Sequence, residues 1–458
     1  MNSIIAENLR TEQTVNSRID LFFSKIGISE LLKQSNFYKE SGIPCVIVLK
    51  TIFTLVFTER NLYRILATQA DKIGFSKNTA YRFLNSTTYN WAKLLRLIAE
   101  CVVSKIDQTT SADRAKVLIV DDSLYDRNRS KKVELLAKVY DHSVHKYIKG
   151  FKMLTVGWSD GKTFIPAAFS LLSSQKETNR LCESGIKDRR TAAFKRRQLA
   201  ISKSTEVLIE LIKSIKHLPA KYVLFDSWFG LPRTICKVKT LGFDVICMVK
   251  NSSKIHYCYN NEWVPVSKLY KIAIQNYKKN GNITGSILVS IRESKDSEEL
   301  IPVKLVFVEA RDSKEFLTIL STDTELSEEE ILRIYGKRWD IEVFFKMCKS
   351  YLALAKEFQG RSYDMMTAHT VIVFLRYIML ANESRSTIDL RTIGGFFFQV
   401  CDEVADIRLS TSLKLIISTL KEILSAYSLI SEEMTEQILS TFFSSIPQVW
   451  NQKLKLCA

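Results

Sequence analysis

The sequence predicts an α/β protein, a mixed-sheet core interrupted by a β-rich segment and flanked by N- and C-terminal helical regions. Three observations carry that reading. Apolar residues recur at helical spacing up to about residue 110, become continuous strand-like runs from about 115, and return to helical spacing from about 327. With 458 residues, 46% of them hydrophobic and 25% charged, the chain can bury a large core and should hold more than one domain. Gly and Pro number only 15 and 7, which argues against long disordered linkers.

Residues 1–110 read as helical, with apolar spacing of three and four at 46–57 and again from Trp91. Between these lie a turn at Gly74 and a short helix opened by Ser76 and rich in Lys77, Asn78, Tyr81 and Arg82, the pattern of a helix-turn-helix. A buried strand follows at 117–120, ending in Asp121 and Asp122. A hairpin is expected from the strand at 151–158, the turn at Asp160-Gly161 and the strand at 163–172. After a basic stretch from Arg189 to Arg197 come an amphipathic helix at 207–215, a strand ending at Asp226, a helix at 231–240 and a strand at 243–249. Three strands, helix, strand, helix, strand, with an acid closing the first strand and the fourth, is a ribonuclease H-like order. Residues 251–320 alternate short strands and polar turns, a β-rich insertion, and helices occupy the rest. The divisions expected are 1–110, a core of 111–250 with 321–385, the insertion 251–320 and a C-terminal helical region 386–458.

Lys plus Arg exceed Asp plus Glu by 66 to 49, a net +17, so the expected partner is a polyanion, with nucleic acid ahead of an anionic membrane. The apolar runs at 46–57 and 371–380 are too short for a membrane span and contain Lys50 and Arg376, which suits buried helices and no membrane partner. The N-terminus lacks the pattern of a secretory signal, so a cytoplasmic location is expected. Nine scattered cysteines without a Cys-x-x-Cys pair suit reduced thiols, and Asp141, His142 and His145 make only a weak metal motif.

The chemistry is concentrated in a later helix. Tyr335, Arg338, Glu342 and Lys349 fall along one stripe at 100° per residue. Such a stripe also suits a solvated helix face. Phosphodiester chemistry uses it differently: the cations and the phenol hold phosphate oxygens while the carboxylate holds a divalent metal. Adjacent strand ends and a packed helix would add Asp226 and one of Asp121 or Asp122, a choice that the apolar run before them leaves open. Three clustered carboxylates repel one another, and two Mg²⁺ or Mn²⁺ ions relieve that repulsion and support in-line displacement at phosphorus.

The spacing from Tyr335 through Arg338 and Glu342 to Lys349 resembles the Tyr-Arg-Glu-Lys signature of DDE transposases of the insertion-sequence-four family. Asp122-Ser123 and Asp226-Ser-Trp-Phe229 look like that family's first two acid motifs, and the likeness runs over about residues 60–375. It implies metal-dependent cut-and-paste excision and strand transfer of an insertion sequence, with double-stranded DNA (terminal inverted repeats and target) as partner. It further implies Asp122, Asp226 and Glu342 as catalytic acids and ligands of two Mg²⁺ or Mn²⁺ ions. Tyr335, Arg338 and Lys349 would bind DNA phosphates, and Lys77, Asn78, Tyr81 and Arg82 would recognise the DNA end. A homodimer in the synaptic complex, a nucleoid-associated location and a base flipped against an aromatic such as Trp339 or Phe316 follow from the same likeness. A nuclease or resolvase on this scaffold, or a DNA-binding relic, is the alternative.

Overall fold

A single sheet of eleven strands organises the computed structural model, which describes residues 18–58, 61–68, 73–141, 145–309, 316–357, 360–386, 392–426 and 431–445. Towards one end of it, flanked by a strand on either side, runs β1 (Val117–Asp126), whose first four residues are apolar and wholly buried. Such a run, covered on both faces, is stable only in mid-sheet. On one side β1 pairs antiparallel with β3 (Lys146–Ser159), which pairs in turn with β2 (Ala137–Asp141) and β4 (Phe164–Leu172). On the other side β1 runs parallel to β5 (Tyr222–Phe225), and β5 runs parallel to β6 (Asp244–Val249). With β2 set aside, the spatial order is third, second, first, fourth, fifth, the ribonuclease H-like arrangement. The sequence reading lacked β2, a five-residue strand with the alternating burial of an edge.

The residues between 251 and 320 extend this sheet and form no separate layer. They supply β7 (His256–Tyr259), β8 (Glu262–Pro265), β9 (Ile283–Ile291), β10 (Ile301–Glu309) and β11 (Phe316–Ser321). β11 pairs antiparallel with β6, so the backbone edge that the core would otherwise expose is occupied.

Six helices precede β1 among the described residues: α1 (Arg18–Lys25), α2 (Ile28–Gln34), α3 (Cys45–Thr54), α4 (Leu62–Thr68), α5 (Lys77–Leu84) and α6 (Trp91–Gln108). Asn90 caps α6, its side chain accepting from the Lys93 N–H at 3.0 Å, and Trp91 meets Phe37 and Phe83 edge-on. Two helices, α7 (Ala192–Ala200) and α8 (Ser204–Ser214), join β4 to β5, and α9 (Pro232–Thr240) joins β5 to β6. α10 (Val266–Asn276) belongs to the 251–320 segment. After β11 come α11 (Glu328–Gly336), α12 (Trp339–Ser350), α13 (Tyr363–Ser386), α14 (Ile393–Ala426) and α15 (Glu432–Ser445).

By length and composition α13 could cross a membrane, yet its apolar stretch lies wholly inside the protein. Arg376 sits in its middle with no solvent exposure. Its guanidinium donates to the Ile52 and Phe53 carbonyls at 2.7 and 2.9 Å and to both Glu357 oxygens at 2.7 and 3.0 Å. A buried charge persists only when every donor is matched in this way. The basic stretch 189–197 likewise divides. Arg197 is buried between Glu134 and Asp364 at 2.7 and 2.8 Å and Arg196 pairs with Asp364 at 3.0 Å, so these two are internal ion pairs and no DNA surface.

Candidate active site

The site forms where β1 and β5 end side by side. Ile119 pairs with Leu224, and two residues further along each chain stand Asp121 and Asp226. Residues two apart on a strand share a face, so the Asp121 carboxylate is directed to the side on which Asp226 leaves β5. Asp122 turns to the opposite face, where its Oδ1 accepts from Lys152 Nζ at 2.9 Å. The structure therefore does not bring Asp122, the acid favoured by the family likeness, to Asp226 and Glu342. It brings Asp121.

Beyond Asp226 the chain turns sharply. The Asp226 Oδ1 accepts from the Trp228 N–H at 2.9 Å, which fixes the carboxylate through its own turn and leaves α9 uncapped by it. Gly230 then passes so close to β6 that a Cβ there would stand 2.3 Å from the Met248 carbonyl oxygen. Only glycine permits that approach. Gly230→Ala should displace the 226–230 turn and lower DNA cleavage by on the order of tenfold or more, read as kcat.

Glu342 arrives from α12. The Tyr335–Lys349 stretch is broken after Gly336, and the break is pinned: Lys337 Nζ donates to the Ala115 carbonyl at the foot of β1, and Ser159 donates to Asp340 at 2.6 Å. From the join, Arg338 reaches Asp121 Oδ2 at 3.4 Å and Glu342 Oε1 at 2.5 Å. Tyr335, one turn earlier, is largely buried, its phenol pushed above the ordinary tyrosine range by burial despite the opposing Arg338 charge, with Asp226 and Cys247 among its neighbours. Lys349 stands two turns beyond Glu342, half-buried, its ammonium pushed down by burial while Asp141 acts against that shift. The stripe thus splits, with Tyr335, Arg338 and Glu342 at the carboxylates and Lys349 about 10 Å along the helix.

Burial, then the charge of Asp226, raise the Asp121 carboxyl to about 7, with Arg338 opposing. Carboxylate oxygens alone, with no nitrogen or sulfur donor, are the set that fits a hard divalent cation. The acids do not converge on one point: Arg338 lies between Asp121 and Glu342, and among the described residues no group of three or more His, Cys, Asp or Glu side chains is placed to hold an ion. His142 of the weak metal motif lies outside the described residues.

Elsewhere, Lys77, Asn78 and Arg82 are exposed on α5 and Tyr81 is half-buried. The Lys77 ammonium lies over the Tyr63 ring at 4.7 Å, joining α5 to α4 across the turn at Gly74, whose φ is +76°. Of the two aromatics considered for a flipped base, Phe316 is stacked on Tyr270 at 3.9 Å, whereas Trp339 is 62% exposed beside Arg338. Trp228, the tryptophan of the Asp226-Ser-Trp-Phe229 motif, is also exposed next to Asp226, with Lys250 Nζ 4.6 Å from its ring. Only its place in the Asp226 turn signals it.

Residues 54–269 match the DDE superfamily endonuclease family, and residues 197–379 match the transposase DDE domain. No curated protein matches the chain. The two matched stretches overlap and together run from residue 54 to 379, across β1, β5 and α12, and both support a DDE transposase.

Proposed function

We propose that this chain is a cut-and-paste transposase of the insertion-sequence-four type, hydrolysing one strand at each end of its element and joining the freed 3′-hydroxyl to target DNA. The observation that carries the reading is that Asp121 and Asp226 stand side by side at the ends of β1 and β5, with Arg338 linking Asp121 to Glu342. Asp121, Asp226 and Glu342 are its acids, with Asp121 taking the place that the family likeness gave to Asp122. Two Mg²⁺ or Mn²⁺ ions held by these acids would supply the activated nucleophile and neutralise the leaving oxygen. Arg338 would exchange its carboxylate partners for a DNA phosphate, and Tyr335 would line the same face. Lys349 would hold the backbone further along α12. The exposed Lys77, Asn78, Tyr81 and Arg82 are assigned to the terminal repeat, in keeping with action on DNA in the cytoplasm. Joining two ends requires two copies, and α14 and α15, which expose Phe398, Ile423, Met434 and Ile438, are our choice for their contact.

A pH dependence follows. Metal binding requires the Asp121 carboxylate, and a proton competes for it below about 7. Apparent Mn²⁺ affinity should therefore fall by up to about tenfold per pH unit as the pH drops from 7 to 5, and level off above 8. Isothermal titration across that range checks it. Activity itself is tested by incubating the protein and Mg²⁺ with labelled DNA carrying the repeats that flank the gene, then resolving products on a denaturing gel. Cutting at the repeat ends and joining to target, both lost in Glu342→Gln, supports the transposase. Cutting without end specificity points to a nuclease, and binding alone to a relic.

A further inference from the structure

We infer that the cationic cavity beyond the end of β1 seats the DNA backbone about five base pairs inside the element from the scissile bond. The inference rests on the transposase reading and adds a contact register to it. The cavity, of about 900 Å³, lies between the loop 126–133 and the residues Ala355, Lys356, Gly360 and Arg361, and Arg127, Arg129, Lys131, Lys132, Lys356 and Arg361 line it against one acid, Asp126. Its two walls are fastened together. Arg127 donates to the Ala355 carbonyl at 3.1 Å while its guanidinium lies over the Tyr125 ring, and the Glu134 N–H donates to the Arg361 carbonyl at 2.9 Å. Among the described residues Arg129, Lys131, Lys132, Lys356 and Arg361 form no ion pair with a carboxylate. Five such cations held around one concavity repel one another, and a row of phosphates relieves that repulsion.

Two elements lead from the carboxylates to this cavity. β1 covers about 17 Å from Asp121 to Asp126 at 3.3–3.4 Å per residue. α12 covers about 10 Å from Glu342 to Lys349, whose carbonyl Lys356 Nζ approaches at 3.5 Å. At 3.4 Å per base pair, 17 Å is about five base pairs. Lys356 also borders a second cavity of about 300 Å³ with Tyr63, Arg64 and Tyr81 of α4 and α5. The basic cavity therefore lies between the carboxylates and the helices assigned to the terminal repeat, which puts it on the element side.

The test measures binding of the full chain to a terminal-repeat duplex over a range of salt. The triple variant Arg129→Gln/Lys131→Gln/Lys132→Gln and the double variant Lys356→Gln/Arg361→Gln alter opposite walls. Each should flatten the slope of log K against log salt by about 0.9 per cation removed, near 3 and near 2. Uncharged methylphosphonate linkages four to six base pairs inside the scissile bond should weaken binding of the wild type, and should weaken that of the triple variant by a smaller factor, since only the wall with Lys356 and Arg361 still faces those phosphates. A wild-type slope in either folded variant overturns the inference, and so does indifference of the wild type to those linkages, a readout that needs neither variant to fold. Cleavage at the element ends by the wild type is scored separately, so failure of the transposase reading is distinguishable from failure of the cavity assignment.

Discussion

Asp121→Asn should abolish metal-dependent DNA cleavage, by at least 10²-fold on an order-of-magnitude scale, whereas Asp122→Asn should lower it by less than about tenfold. The two residues are neighbours in sequence, and the strand's alternation separates their roles. Asp121 shares its face with Asp226 and reaches Arg338, whereas Asp122 is engaged with Lys152 on the other face. The Asp122–Lys152 pair is about a quarter exposed on each side, and partly exposed pairs contribute about 0–1 kcal/mol. A second readout separates the sites. An acid whose folded pKa stands above its unfolded value costs nothing at a pH below both and destabilises the fold once ionised. The penalty for Asp121 is therefore absent near pH 3, grows between about 4 and 7, and is complete above 7. Asp121→Asn should raise the thermal midpoint of the metal-free protein at pH 8 and leave it nearly unchanged at pH 4. Calorimetry at the two values, beside the cleavage assay, checks both halves. Gain of stability with loss of activity is the mark of a functional carboxylate.

Arg376→Met should destabilise the fold by about 3–5 kcal/mol, the largest structural effect expected of a single change here. Removing the guanidinium strands Glu357, itself 5% exposed, and orphans the Ile52 and Phe53 carbonyls at the end of α3. The pair also fixes Glu357 next to Lys356, so the damage extends to the wall of the cationic cavity. Urea unfolding should show a lowered midpoint with an unchanged slope. The double variant Arg376→Met/Glu357→Leu should recover much of the loss, because a buried pair replaced at both ends leaves no unmatched charge.

Much of this arrangement is legible in the sequence because the controlling signals are local. Continuous apolar runs closing in acids mark β1 and β5, the Asp160-Gly161 turn marks the β3–β4 hairpin, and the Ser327 cap with three following glutamates marks α11. What the sequence hides depends on partners distant along the chain. Val117 to Val120 are buried alike, so no alternation tells which of Asp121 and Asp122 faces Asp226, and the β1–β5 register decides it. Arg196 and Arg197 look like surface charges until Glu134 and Asp364 are brought against them from other elements. The break after Gly336 is a further case, because Lys337 is held by a carbonyl more than two hundred residues away. β11 completing the sheet at β6 was equally hidden, since pairing between strands separated by an insertion leaves no periodicity to read.

The most direct measurement is a crystal of the protein grown with Mn²⁺ and a terminal-repeat duplex, with anomalous scattering used to locate the metal. An anomalous peak contacted by Asp121 and Asp226, with Asp122 still paired to Lys152 and Arg338 turned from Glu342 to a DNA phosphate, is the result predicted. A peak on Asp122, or manganese bound away from both strand ends, would contradict it.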